Sequence, residues 1–144
     1  MNLLFVCKHN VFRSKIAEAY FNKINRNKNI TASSAGIIKA DILSKDEKEL
    51  IKFQRKTAKE FEISVENGSQ SLSISLLKEQ DMIVIVADDV PLEIFNSKFY
   101  MKGNLKVVVW KIMDAKGEKN DKLIIKKSIK EIIKKVDNLA RKLK

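Results

Sequence analysis

Two patterns in the sequence predict an α/β domain: a three-layer sandwich with a four-stranded parallel sheet and helices on both faces. The short apolar run Asn2 to Val6, without polar alternation, has the character of a strand buried on both faces; Met82 to Ala87 is a buried strand too, Leu105 to Trp110 a further strand, and Ile30 to Ala35 a short strand candidate. Between them, apolar residues recur at helical spacing. Alternating strands and helices favour parallel pairing through crossovers, and in such sheets ligands bind at the carboxyl ends of the strands. With 144 residues, 44% of them apolar, and only one Pro and four Gly, the chain reads as one domain over residues 1–144. Disorder and collagen-like repeats are excluded.

The first run, NLLFV, is interrupted by Lys8, His9 and Asn10. From Ser14 the apolar residues Ile16, Ala17, Tyr20, Phe21 and Ile24 step by 1, 3, 1 and 3 along one helical face. Ile30 to Ala35 leads into Gly36, which can leave a strand through a backbone conformation other residues avoid. A polar helix is expected from about Asp46 to Phe61, and a short helix or turn over Ser71 to Leu77. Met82 to Ala87 (MIVIVA) is the clearest buried strand and ends at Asp88 and Asp89; Pro91 fits the first turn of a short helix through Phe95. After Leu105 to Trp110 comes the polar loop Met113 to Asn120. The last helix carries Ile125, Ile129, Ile132, Val136, Leu139 and Leu143 at steps of 4, 3, 4, 3 and 4, widened by Ile133 and Ala140.

The net charge of +11 invites a nucleic-acid reading, but only four of the 29 basic residues are Arg (Arg13, Arg26, Arg55 and Arg141). Lys belongs to solvated surfaces and is a poor bidentate reader of bases, so nucleic acid is not expected as a partner. Most of the excess follows Ala115, with 11 basic against four acidic residues. No apolar run approaches the roughly 20 residues of a membrane span. Met1 to Cys7 lacks the basic start and cleavage site of a signal peptide, so a cytoplasmic protein without membrane association is expected. The single Cys, Cys7, forbids an internal disulfide and any multi-Cys metal site; no metal or other cofactor is expected.

The chemistry-bearing segment is Cys7-Lys8-His9-Asn10-Val11-Phe12-Arg13-Ser14: a Cys at a strand end, five residues, then Arg-Ser opening a helix. A loop curling into a helix N-terminus aims several backbone N–H groups at one spot and adds the positive end of the helix dipole. A dianion fits there. Arg13 would clamp two phosphate oxygens with its planar fork, and the same field would stabilise a thiolate at Cys7. A Walker-type nucleotide loop is excluded, because no G-x-x-x-x-G-K-[ST] occurs.

On these residues the sequence resembles the low-molecular-weight protein tyrosine phosphatase family. The likeness lies in LLFVCKHNVFRSKIAEAYF, with Cys7, Asn10, Arg13, Ser14 and Ala17-Glu18-Ala19, then in Ser34-Ala35-Gly36, in Asp81, and in Trp110 to Asp114. It covers nearly the whole chain and is thin between Lys39 and Ser71. The resemblance implies a metal-independent phosphatase acting on a phosphotyrosine protein or a small aryl phosphate through a phosphocysteine. Cys7 would be the nucleophile, Arg13 the phosphate clamp, Ser14 the hydrogen-bond donor to the thiolate, and Asp114 the general acid. Lys8, His9, Asn10, Val11 and Phe12 would form the substrate-binding loop, with Asn10 and Ser34 supporting its shape. A monomer or weak dimer is expected.

Several positions depart from the family pattern. The loop contains no Gly, although His9 and Asn10 are residue types that tolerate positive φ. Phe12 replaces a frequent second Cys. Trp110-Lys111-Ile112-Met113-Asp114-Ala115 stands where the family usually reads Trp-x-Ile-Pro-Asp-Pro, and the Tyr residues that usually follow are absent. Asp88, Asp89 and Asp121 are the alternative acids, His9 is read as a rim residue of the loop, and Trp110 as core or pocket rim. Two other functions stay open: arsenate reduction, which with one Cys would need an external thiol, and a phosphate- or nucleic-acid-binding module that has lost catalysis.

Overall fold

The computed structural model describes residues 1–38, 44–66, 68–96, 101–114 and 121–144. Four parallel strands, β1 (Asn2–Cys7), β2 (Thr31–Gly36), β3 (Met82–Val86) and β4 (Lys106–Trp110), form one sheet in the order β2-β1-β3-β4. The helices are α1 (Arg13–Ile24), α2 (Lys45–Lys59), α3 (Ile74–Lys78) and α4 (Asp121–Lys142), with a 3-10 turn at Leu92–Phe95. This is the α/β architecture expected from the alternating pattern. The helix read over Ser71 to Leu77 starts later, at Ile74, because the Ser73 hydroxyl accepts the Leu76 N–H at 3.1 Å and caps it. Ala115 and the side chain of Asp121 lie outside the described residues.

Strand pleating splits the core in two. Leu3, Phe5, Met82 and Val84 face α1 and α4, where Ile16, Phe21, Ile125, Ile129, Ile132 and Val136 are fully buried. Leu4, Val6, Ile83 and Ile85 face the other way, against Leu77 of α3 and Phe95 of the 3-10 turn. The last helix is therefore docked on the sheet through the stripe its periodicity announces, and its Lys residues point outward. Tyr20 joins α1 to α4 by donating its hydroxyl hydrogen to Asp137 Oδ1 at 2.8 Å. Burial and this carboxylate push the Tyr20 hydroxyl up from its ordinary value. At the other end of the order, β4 is an edge strand: Val107 and Val109 are each 38% exposed despite an apolar run like that of β3.

The amino ends of three strands meet at Asp81. Its N–H donates to Asn2 O at 2.9 Å, its Oδ2 accepts the Asn2 N–H at 2.7 Å, and its carbonyl accepts the Lys106 N–H at 3.2 Å. Lys102 Nζ completes the set, 3.0 Å from Oδ1. The Asn2 N–H first, then Lys102, hold this carboxyl below its ordinary 3.8. A depressed carboxyl stabilises the fold above its unfolded value and loses that contribution as pH falls through the folded value. Asp81→Asn should therefore melt below wild type at pH 7, and the gap in Tm should close on acidification below 3.8, as followed by circular dichroism. A gap independent of pH would assign the effect to shape alone.

Candidate active site

The segment from Cys7 to Ser14 leaves the carboxyl end of β1, the second strand in the order, and enters α1. No side chain caps α1 at Phe12, and its first turn holds no acidic residue. Among the described residues, no acceptor engages the backbone N–H groups from Lys8 to Arg13. The helix dipole and these donors make the concave side of the loop electropositive. Phe12 turns its ring into the core with Ile16 and Phe5, leaving its backbone to the loop; Lys8, His9 and Val11 are half-buried at the rim.

Asn10 gives the loop its curl. It sits at φ 56, the left-handed region, which Asn tolerates better than most residues. Its side chain is fully buried and turned away from the concave face. Nδ2 donates to Ser14 Oγ and to Ser34 Oγ, both at 2.8 Å, while Oδ1 accepts the Gln70 N–H at 2.8 Å. Ser14 Oγ in turn lies 3.0 Å from Cys7 Sγ, and Cys7 is 2% exposed. Ser34 Oγ donates to Glu18 Oε2, and Gln70 Nε2 donates to Ser34 O at 3.0 Å.

Gly36 serves the loop for a different reason than its sequence position suggests. It does not use the positive-φ freedom expected there. A Cβ at this position would stand 2.6 Å from His9 C and 2.7 Å from Asn10 N, so only Gly lets β2 pass beneath the loop. Backbone bonds from Gly36 N–H to Gln70 O and from Leu72 N–H to Gly36 O, both 2.8 Å, close this underside.

Arg13 is 3% exposed and reaches under the loops that follow β3 and β4. Nη1 donates to Ile112 O at 2.9 Å and lies 3.6 Å from Asp88 Oδ1; Nη2 lies 3.0 Å from Asp89 Oδ1 and 4.0 Å from Asp114 Oδ2. Three of the four acids singled out in the sequence thus converge on one guanidinium. Ile112, fully buried, anchors the segment that carries Asp114, and Asp114 itself remains 29% exposed at the mouth. His9 Nδ1 is buried without a hydrogen-bond partner among the described residues. Glu47, in the first turn of α2, has its carboxyl held below its ordinary value chiefly by hydrogen bonds with Ser44, with a smaller contribution from His9. Trp110 packs in the core at 7% exposure.

The structure brings together Cys7, Asn10, Arg13, Ser14, Ser34 and Asp114, as the sequence reading grouped them. Gln70, Glu18 and the Ile112 carbonyl were not in that grouping. Gln70 left no signal, since it acts largely through its backbone, whereas Glu18 stands inside the Ala17-Glu18-Ala19 segment. Among the described residues no cluster of three or more His, Cys, Asp or Glu is arranged to hold a metal ion, and no helix is long and apolar enough to cross a membrane.

Comparison with known proteins accords with this geometry. Residues 2–144 match the family described as low molecular weight phosphotyrosine protein phosphatase. Among solved structures, the low molecular weight protein tyrosine phosphatase of T. tengcongensis is 25% identical, covers 99% of each chain and superposes with a TM-score of 0.71. An arsenate reductase from Archaeoglobus fulgidus is 26% identical over 96% of this chain and 98% of its own, with a TM-score of 0.64. The YwlE arginine phosphatase of Geobacillus stearothermophilus shares the fold at 21% identity and a TM-score of 0.71, over 99% of this chain and 92% of its own. No curated protein sequence matches the chain.

Gly36→Ala should force β2 away from the loop. The expected loss is about 1–3 kcal/mol of unfolding free energy in urea, the usual cost of overpacking, together with loss of vanadate binding. Unchanged stability and binding would show that the loop yields freely at this contact.

Proposed function

Because the chain belongs to the low molecular weight phosphotyrosine protein phosphatase family, we propose that it hydrolyses phosphotyrosine or other aryl phosphate monoesters through a phosphocysteine at Cys7. The observation that carries this reading is the placement of Cys7 Sγ against the Ser14 hydroxyl, beneath a loop whose helix N-terminus and Arg13 favour a dianion. The phosphoryl group would sit on the backbone N–H groups of Lys8 to Arg13. Arg13 is already oriented by its hydrogen bond to Ile112 O and by the charge of Asp89, so the guanidinium N–H groups not spent on Ile112 O remain for phosphate oxygens.

In the first step Cys7 thiolate attacks phosphorus in line. The S–P bond forms as the P–O bond to the aryl group breaks, and Asp114 delivers its proton to the departing oxygen. In the second step a water, deprotonated by the same Asp114, attacks phosphorus and the S–P bond breaks. The sulfur returns as thiolate to the Ser14 hydroxyl. The protein's own groups supply every charge the two steps require, so this reading assigns no role to a metal ion.

A second reading rests on the arsenate reductase neighbour. With Cys7 as the single Cys, arsenate reduction would take its two electrons from Cys7 and one external thiol, which become a mixed disulfide, and a second external thiol would then release Cys7 as thiolate and leave as the external disulfide. Thiol-dependent arsenate turnover exceeding aryl phosphate hydrolysis would favour it.

Hydrolysis of para-nitrophenyl phosphate should proceed in EDTA. It should be abolished by Cys7→Ser and fall about a hundredfold or more in Asp114→Asn, the usual scale for a lost general acid. Turnover retained in Cys7→Ser would overturn the mechanism. Loss in Asp89→Asn but not in Asp114→Asn would move the acid to the loop after β3.

A further inference from the structure

The network beneath the loop continues beyond the groups that the proposed reaction uses. Glu18, on the second turn of α1, accepts the Ser34 hydroxyl hydrogen and lines a cavity of about 260 Å³ with Lys15, Asn22 and Glu66. Glu18 thus stands where the buried network reaches the outside of the fold, while its other end is the nucleophile.

Counting hydrogens gives the network a direction. The Gln70 N–H donates to Asn10 Oδ1, so the amide nitrogen of Asn10 is the atom facing the two serines. That nitrogen has two hydrogens, and both are spent, on Ser14 Oγ and on Ser34 Oγ. A serine hydroxyl has one hydrogen. Ser34 gives its hydrogen to Glu18, which leaves its oxygen lone pairs to accept from Asn10. Ser14 accepts from Asn10, which leaves its one hydrogen for Cys7 Sγ at 3.0 Å. Asn10 is the donor hub of two arms, one ending on a carboxylate and the other on the sulfur. Without an acceptor at Glu18 the Ser34 hydroxyl is free to rotate, the Asn10 amide loses a polarised partner, and the aim of the Ser14 hydrogen loosens.

We infer that Glu18 is a positioning residue, acting through Ser34 and Asn10 to hold the Ser14 hydroxyl hydrogen on Cys7. The inference deepens the phosphatase reading and rests on it for the kinetic readout. Alkylation of the single cysteine supplies a second readout that needs no turnover. Glu18→Met removes the acceptor while filling similar space on a helix, and Glu18→Gln keeps a carbonyl oxygen for Ser34.

In Glu18→Met the pH midpoint of Cys7 alkylation by iodoacetamide should rise by about half to one unit, part of the roughly one to two units that a whole hydrogen bond to a charged group is worth, because the bond is loosened and not removed. On para-nitrophenyl phosphate, kcat should fall about three- to tenfold with KM unchanged, since the loosened bond favours the thiolate and not substrate binding. Glu18→Gln should restore most of both, and Glu18→Met combined with Ser34→Ala should be no worse than Ser34→Ala alone. An unshifted midpoint in folded Glu18→Met, additive effects in the double variant, or a Glu18→Gln as impaired as Glu18→Met would each overturn the inference. Should Glu18→Met fail to fold, Ser34→Ala must reproduce the shift, and an unshifted Ser34→Ala overturns it equally. A wild type that alkylates with the expected profile but hydrolyses no aryl phosphate defeats the phosphatase reading and leaves the alkylation comparison to decide this one.

Discussion

The left-handed backbone at Asn10 is the constraint on which the candidate site depends. A non-glycine residue in this region costs about 1–3 kcal/mol at most positions and persists only where its surroundings over-determine it. Here the surroundings come from three separate stretches of chain: Ser14 on α1, Ser34 on β2 and the backbone of Gln70. Each buried hydrogen bond contributes about 0.5–1.5 kcal/mol, so three together offset the strain. The same bonds that curl the loop leave the Ser14 hydrogen for Cys7. Loop shape and the Ser14–Cys7 contact are therefore set by one network, drawn from α1, β2 and the segment before α3.

Arg13 presents the complementary problem. A guanidinium at 3% exposure must be paired, and Asp89, Asp88 and the Ile112 carbonyl provide that pairing. These partners also offset part of the positive field that an incoming dianion would meet. The uncapped start of α1 restores it, since its donors carry no opposing side chain. The arrangement divides the work: carboxylates orient the Arg13 fork, and backbone N–H groups supply the attraction.

How much of this was legible in the sequence follows from the kind of interaction involved. The strand β1 and the loop after it stood out because a run of apolar residues ends abruptly in a Cys followed at fixed distance by Arg-Ser. The helix α4 stood out because its stripe repeats for three heptads. The edge position of β4 did not, because KVVVW is compatible with either a central or an outer strand, and the difference lies in what packs beside it. Gly36 was visible as a glycine, but its reason is a close approach between segments distant in sequence. Asp88 and Asp89 were visible at a strand end as acids; that they hold Arg13 depends on strand order. Gln70 supports the loop through a backbone N–H that any residue but Pro would carry.

A covalent phosphoryl group at Cys7 is the intermediate on which the proposed reaction depends. The most direct measurement mixes the Asp114→Asn protein with para-nitrophenyl phosphate, quenches in acid within the first turnover, and maps the added mass by peptide mass spectrometry. The expected result is one phosphoryl group on the peptide containing Cys7, absent when Cys7 is alkylated beforehand. Release of nitrophenol from the same protein with no phosphoryl group on Cys7 at any quench time would contradict it.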